Sequence, residues 1–209
     1  MRKEADDALV LEESDLCRIP ARQRKSNKGT YGPLLCIAGS EGMAGAAYLT
    51  ALGAYRSGAG LVRILTPEVN RSVLQIQLPE AIVESYDLET EEITAENPEK
   101  QFLTQQQGSI TVSEEEEPAG QAKNQRLPLP LARLEELLAS SKAVVIGPGL
   151  GQSEAAVALV KETLSRCEVP LVVDADALNL IARRPSLLSY RKSNWIFTPH
   201  PGEMSRLTE

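Results

Sequence analysis

Two aspartates close together in the chain are the first candidates for chemistry. Asp174 and Asp176 follow the apolar segment Leu171–Val173, and residues at i and i+2 of an extended chain project to the same side. Such a pair could bind the water shell of a metal ion, contact a ribose or another hydroxyl group, or cap the next helix. Capping would explain Asp176 but not the pair. We therefore expect a function for Asp174 and leave open a structural role for Asp176.

The one histidine of the chain is the second candidate. His200 lies between Pro199 and Pro201, which fix the local φ and remove two backbone donors. Gly202 and Glu203 follow it. Isolated histidines are often structural, but this pattern predicts a rigid loop that presents the imidazole to a ligand. Whether the ring acts as acid, base or hydrogen-bond partner stays open at this point.

Two glycine-rich segments, residues 38–45 and 147–151, each follow an apolar run. Glycine permits positive φ and lets a ligand approach the backbone without a Cβ in the way. The second segment precedes a predicted helix, whose first N–H groups would favour an anion such as phosphate. A tight turn alone explains it about equally well, and the first segment could serve only to bring a helix close to the sheet.

The pattern of apolar runs predicts the fold that positions these residues. Short apolar runs without alternation are typical of strands buried on both faces, and helical segments separate them. This order predicts an α/β fold, a parallel sheet flanked by helices on both faces, in which ligands bind outside the carboxyl ends of the strands. Ser153 is predicted to cap a helix, with Glu154 in its first turn. The predicted strands are 34–38, 61–65, 80–83, 143–146, 171–173 and 195–197, and the predicted helices are 44–57, 69–74, 131–140, 153–166 and 177–183.

Composition agrees with one domain and sets apart two segments. The chain has 209 residues, 42% of them hydrophobic, and a net charge of −7. Residues 1–15 are predicted to be a polar tail, and residues 16–209 the domain. Residues 84–126 hold 11 acidic and 3 basic side chains and few aliphatic ones, which predicts a disordered, solvated insertion. An acidic docking segment is the alternative, but nothing amphipathic is there to anchor a partner.

Composition and motifs also argue against several classes of protein. The three cysteines, Cys17, Cys36 and Cys167, are far apart in the sequence. This spacing argues against a disulfide framework or a zinc site and favours a reducing cytosol. No secretory signal or membrane-length apolar run is visible, and no basic patch alternates with aromatics. Walker, G-x-G-x-x-G, G-x-S-x-G and H-E-x-x-H motifs are missing. We expect a cytoplasmic protein with a small-molecule ligand, without nucleic-acid or membrane partners.

Seven short motifs, in this order, resemble the ADP/ATP-dependent NAD(P)H-hydrate dehydratase family, which has a ribokinase-like fold. They are KGTYG at 28–32, AGSEGMAGAA at 38–47, RSGAGLV at 56–62, PE at 79–80, GPGLG at 147–151, DADALN at 174–179 and TPHPGE at 198–203. The resemblance covers roughly residues 16–83 and 127–209.

The resemblance implies a hydro-lyase that repairs a metabolite: hydrated NADH or NADPH is dehydrated to NAD(P)H while a nucleotide is consumed. ADP or ATP would be the co-substrate, with Mg²⁺, and the preferred nucleotide stays open. A homo-oligomer is expected. The substrate-binding residues implied by the motifs are Ala46, Ala47, Gly149 and His200, with Asp174 and Asn179 lining the same pocket.

The resemblance also implies that part of the site lies elsewhere. Family members continue past the TPHPGE motif with a lysine-containing strand and an N-x-G-x-G-D loop. That loop binds the nucleotide phosphates and supplies the aspartate expected to act as base, which would lie beyond Glu209. We therefore assign no catalytic residue and no metal ligand. We expect a C-terminally incomplete ribokinase-like sheet, and impaired activity when this chain acts alone. Two alternatives remain: a catalytically inactive fragment that binds the hydrate, and a related kinase of a vitamin precursor.

Overall fold

Six parallel strands form one sheet in the computed structural model, which describes residues 23–87 and 127–208. The strand order across the sheet is β3-β2-β1-β4-β5-β6. The strands are β1 (Pro33–Ile37), β2 (Leu61–Pro67), β3 (Ile82–Tyr86), β4 (Ala143–Ile146), β5 (Leu171–Val173) and β6 (Trp195–Phe197). The predicted polar tail, 1–15, lies outside the described residues.

Helices cover both faces of this sheet, as predicted. They are α1 (Ala44–Arg56), α2 (Arg71–Gln77), α3 (Leu131–Ala139), α4 (Glu154–Arg166), α5 (Asp176–Arg183) and α6 (Pro201–Thr208), with 3₁₀ turns at Glu68–Asn70 and Pro185–Tyr190. The first two helices pack on one face and α3, α4 and α5 on the other, each around its own apolar cluster.

The central strand shows how a short apolar run supplies both clusters. In β1, Leu35 and Ile37 belong to the cluster under α3 to α5, whereas Cys36 belongs to the cluster under α1 and α2. Successive side chains of a strand point to opposite faces, so a strand covered on both sides must be apolar at every position. Cys36 is fully buried, and burial raises the pKa of its thiol to about 12.

The predicted helix start at Ser153 is confirmed. The Ser153 hydroxyl accepts a hydrogen bond from the Ala156 N–H at 3.2 Å, and Glu154 lies in the first turn. A serine cap satisfies one of the N–H groups that have no partner inside the helix.

Two elements differ from the prediction. The third strand runs to Tyr86, so 84–86, which the sequence assigned to the acidic insertion, pairs with β2; residues 88–126 lie outside the described residues. The strand continues because Glu84 pairs with Arg133 of α3 and Tyr86 is buried. The second difference is α6, which begins at Pro201, where a rigid loop was expected. Proline is well suited to the first position of a helix, where its missing N–H costs nothing.

One part of the sheet stays open to solvent. A cross-strand row on the α1 side runs from Cys36 through Val145 and Val172 to Ile196. Exposure rises along this row from 0% at Cys36 to 58% at Ile196, with the two valines between. In the described part of the chain, the helices on this face belong to the apolar cluster of β1, β2 and β3.

Candidate functional site

The candidate site lies along the carboxyl edge of the sheet, where β1, β4, β5 and β6 end side by side. All pairings among these strands are parallel, so the four segments that follow them emerge at one edge. Neighbouring strands are about 4.8 Å apart, which places the ends of β1 and β6 about 14 Å from each other. The first turn (38–43), the second turn (147–153), the third turn (174–175) and the fourth turn (198–200) together form this edge.

The first and second turns are in direct contact. The Gly39 N–H donates to the Pro148 carbonyl at 2.9 Å. Gly149 has φ +61°, and a Cβ placed on it would lie 2.6 Å from the Cβ of Ala46 and 3.2 Å from that of Met43. Gly149 is therefore fixed both by its backbone conformation and by the close approach of α1. Two of the predicted site residues, Ala46 and Gly149, are brought together.

Ala47, the neighbour of Ala46, points the other way. Its side chain is fully buried in the core, and a Cβ on Gly39 would lie 3.1 Å from its Cβ. Only the main chain of Ala47 could face a ligand.

Asn70 and Thr66 support the first turn from beneath, and sequence reasoning missed both. The buried Asn70 amide donates to the Ser40 carbonyl at 3.1 Å and to the Thr66 hydroxyl at 2.9 Å. Both are buried polar residues, Thr66 at the end of β2 and Asn70 at the end of the 3₁₀ turn that follows. The available signal was the polar residue at the end of an apolar strand, because a buried polar group needs a hydrogen-bond partner.

The second turn uses three of its backbone donors within the protein. The N–H groups of Gly147, Leu150 and Gly151 donate to Ile37 O, Gly147 O and the Asp176 carboxylate respectively. Proline at 148 has no N–H, and the helix that follows is capped by Ser153. These contacts favour the tight turn of the two interpretations left open, and the phosphate site in this turn stays a prediction. A Cβ on Gly147 would overlap the Asp174 carbonyl oxygen.

Asp176 closes that turn and does not cap its own helix. Its carboxylate accepts the Gly151 N–H at 2.9 Å and the Gln152 side-chain amide at 3.1 Å. The residue in the cap position of α5 is Ala175, with φ +50° and ψ −117°, so the chain is not extended between the two aspartates and the expectation based on an extended chain is wrong. An alanine there carries backbone strain of about 1–3 kcal/mol. The half-buried Asp174 accepts the Ala175 N–H at 2.9 Å.

Asn179 connects α5 with α6. Its side-chain oxygen accepts a hydrogen bond from Arg206 Nε at 2.8 Å. The residue is half-buried one turn into α5, so the structure places it against α6.

His200 sits directly before α6, as the residue that caps it. Its carbonyl accepts from Glu203 N and Met204 N, and its Nδ1 accepts the Gly202 N–H at 3.1 Å. Glu203, a buried carboxylate, accepts the His200 N–H at 3.0 Å, which completes a reciprocal capping arrangement. The histidine side chain remains 62% exposed.

The N-terminus of α1 has the properties of a ligand-facing helix end. No side chain of the described residues caps it, in contrast to α4. A Cβ on Gly42 or Gly45 would meet nothing within 4 Å, so open space lies in front of this turn. Free N–H groups at a helix start, together with the helix dipole, favour an anion.

Two features are absent from the described residues, a metal-binding cluster and a membrane-spanning helix. They contain no cluster of three or more His, Cys, Asp or Glu side chains placed to hold a metal ion. None of their helices has both the length and the apolar character required to cross a membrane.

Comparison with known proteins places the chain in one family. The family model described as NAD(P)H-hydrate dehydratase matches residues 34–209. The chain is 37% identical over 193 residues to the bifunctional NAD(P)H-hydrate repair enzyme of Moorella thermoacetica, covering 91% of this chain and 30% of that protein. It is 32% identical over 192 residues to the ADP-dependent (S)-NAD(P)H-hydrate dehydratase of Lactococcus lactis, covering 91% of this chain and 54% of that protein.

Solved structures agree on the fold. A ribokinase-like superfamily protein from Enterococcus faecalis superimposes with a TM-score of 0.68 at 24% identity, covering 94% of this chain and 55% of that one. The ADP/ATP-dependent NAD(P)H-hydrate dehydratase of Bacillus subtilis, co-crystallised with ATP/Mg²⁺, gives a TM-score of 0.57 at 30% identity, covering 91% and 52%. The chain thus spans about a third to a half of the length of these relatives. Its fold is ribokinase-like, and the chain belongs to the NAD(P)H-hydrate dehydratase family.

Proposed function

We propose that this chain binds hydrated NADH or NADPH at the carboxyl edge of the sheet and takes part in its nucleotide-dependent dehydration. The observation that carries the proposal is the close approach of the second turn to the start of α1, where Gly149 lies against Ala46 and Met43. The exposed Gly42 and Gly45 beside this contact leave open space in which a ligand can approach the backbone. Membership of the dehydratase family supplies the identity of the ligand.

The proposal assigns binding roles along this edge. Ala46 and Gly149 form the floor, and Ala47 contributes through its main chain only. The uncapped start of α1 suits the phosphates of the dinucleotide, because its N–H groups and dipole favour negative charge. Asp174 and Asn179 line the pocket between this floor and the fourth turn, and His200 binds the substrate there.

The co-substrate is proposed to be ADP or ATP. The Lactococcus relative is named ADP-dependent, and the Bacillus relative was crystallised with ATP/Mg²⁺. Phosphorylation of the substrate hydroxyl by the nucleotide would make that hydroxyl a better leaving group. Mg²⁺ is proposed to arrive as a nucleotide complex, bound mainly through phosphates and water. The binding residues named here are assigned no step of the chemistry.

Two further properties belong to the proposal. We propose a cytoplasmic location, which is supported by three single cysteines, of which Cys36 and Cys167 are free and buried. A homo-oligomer is consistent with the open apolar row that ends at Ile196.

The test combines turnover with binding. Purified chain is mixed with hydrated NADH and with ADP or ATP and Mg²⁺, and the absorbance of NADH is followed; binding of hydrated NADPH is measured separately by calorimetry. Recovery of NADH that depends on both protein and nucleotide supports the full proposal. Binding without recovery leaves the binding half and removes the catalytic half. No binding of hydrated NADPH overturns the proposal, and phosphorylation of a hydroxymethylpyrimidine or thiazole alcohol would favour a kinase instead.

A further inference from the structure

Both nitrogens of the His200 ring are turned toward its own helix, α6. Nδ1 accepts the Gly202 N–H at 3.1 Å, and Nε2 lies 3.2 Å from the Glu203 carboxylate. A nitrogen that accepts a hydrogen bond carries no proton, so the neutral ring has its proton on Nε2. The carboxylate beside Nε2 is itself 7% exposed and accepts the His200 N–H at 3.0 Å.

This arrangement limits how His200 can meet a ligand. The ring stays 62% exposed, although its two polar atoms are engaged by Gly202 and Glu203. The surface left for a partner is then mainly the flat face and carbon edge of the imidazole. A ligand that hydrogen-bonded to Nδ1 would have to displace the contact that caps α6, and one at Nε2 would have to compete with the Glu203 carboxylate.

We propose that His200 holds a planar ring of the dinucleotide substrate by stacking through its imidazole face, and that Glu203 is the positioning residue that keeps the ring in place. This inference rests on the proposed function and specifies how the fourth turn contacts the same substrate. Stacking of a base on an aromatic side chain contributes enough to change affinity about tenfold.

Two substitutions of His200 separate stacking from hydrogen bonding. His200→Phe keeps a flat ring but removes the acceptor for the Gly202 N–H, whereas His200→Asn keeps a short side-chain acceptor suited to a helix cap but removes the ring. Stacking predicts that the Phe variant melts at a lower temperature yet binds hydrated NADPH within about threefold of the parent. The Asn variant is expected to melt close to the parent and to bind about tenfold more weakly. The opposite order of affinities, with Asn above Phe, overturns stacking.

The ring itself can be observed, because His200 is the one histidine of the chain. We expect ¹⁵N spectra of the histidine-labelled full chain to show Nδ1 unprotonated and Nε2 protonated, before and after addition of hydrated NADPH. The ring carbon-bound protons are expected to shift upfield on binding. Glu203→Ala is expected to give a mixture of both neutral forms, whereas Glu203→Gln keeps an acceptor for the His200 N–H. A change of tautomer when ligand binds the parent chain overturns the inference.

The outcomes distinguish this inference from the proposed function. Failure of the parent chain to bind hydrated NADPH removes the proposed function, and the stacking proposal with it. Binding by the parent and loss of binding in His200→Phe, with the variant still folded by circular dichroism, removes stacking alone. Adenosine monophosphate and reduced nicotinamide mononucleotide, used as separate probes, identify the stacked ring by which of them shifts the histidine protons.

Discussion

Gly45 and Gly53 lie on the same helix, α1, and packing requires neither of them to be glycine. A Cβ added at either position meets nothing within 4 Å, and neither has positive φ. Glycine inside a helix costs about 0.5–1 kcal/mol relative to alanine. Gly53 lies far along the helix, but Gly45 is in its first turn, beside the proposed floor of Ala46. Stability does not explain a glycine at position 45, whereas a ligand that approaches the start of α1 would.

Replacing each glycine by alanine tests this difference. Gly45→Ala and Gly53→Ala should each raise the free energy of unfolding by about 0.5–1 kcal/mol, measured by urea denaturation. Only Gly45→Ala should also weaken binding of hydrated NADPH in calorimetry, because the added methyl group occupies space proposed for the ligand. Equal affinities of the two variants would place the ligand away from the start of α1.

His200 illustrates what residue types alone could and could not predict. The histidine between two prolines was found from sequence, and its place at the carboxyl edge follows from the end of β6. Its role as the cap of α6 was missed, because histidine is not among the preferred cap residues and Pro201 suggested a loop. Pro201 and Glu203, at the first and third positions of a helix, were the signals available.

At the scale of elements, the tether between α5 and the second turn organises the centre of the site. Asp176, in the first turn of α5, accepts the Gly151 N–H and the Gln152 amide across 25 and 24 residues of sequence. The same turn positions Gly149 against Ala46. Strand ends were predictable from apolar runs, but a contact of this range depends on which turns the sheet order brings together. Strand order is set by tertiary pairing and cannot be derived from local patterns.

Removing the tether should loosen the second turn. Asp176→Ala eliminates a charged acceptor for two donors, and we expect a loss of about 1–3 kcal/mol in the free energy of unfolding. Hydrogen exchange at the Gly151 amide should accelerate, since that N–H loses its partner. Asp176→Asn is the matched control, because its amide oxygen still accepts one hydrogen bond and its loss should be smaller. Unchanged exchange at Gly151 in Asp176→Ala would contradict the tether.

At the scale of the whole molecule, the sheet is unevenly covered. The face that packs α3, α4 and α5 is continuous from Tyr86 of β3 to Phe197 of β6, whereas the α1 face becomes exposed toward β6. Aliphatic side chains at Val145, Val172 and Ile196 form a row there. The row ends on β6, which has a free edge in the described part of the chain. Exposed apolar rows and free sheet edges favour association between copies.

We therefore expect self-association of this chain through the β6 side, with Ile196 as its most exposed member at 58%. Ile196→Lys should lower the apparent mass in light scattering coupled to size exclusion, because a charge at the end of the row opposes burial against a second copy. Ile76→Lys is the control: Ile76 is 78% exposed on α2, outside this row, and its replacement should leave the mass unchanged. If both variants and the parent chain run as monomers at the same concentration, the row does not hold copies together. If Ile76→Lys alone dissociates the assembly, the contact lies on the α2 surface. The free energy of association depends on the apolar area that the partner covers, so the substitution that weakens association marks the covered area.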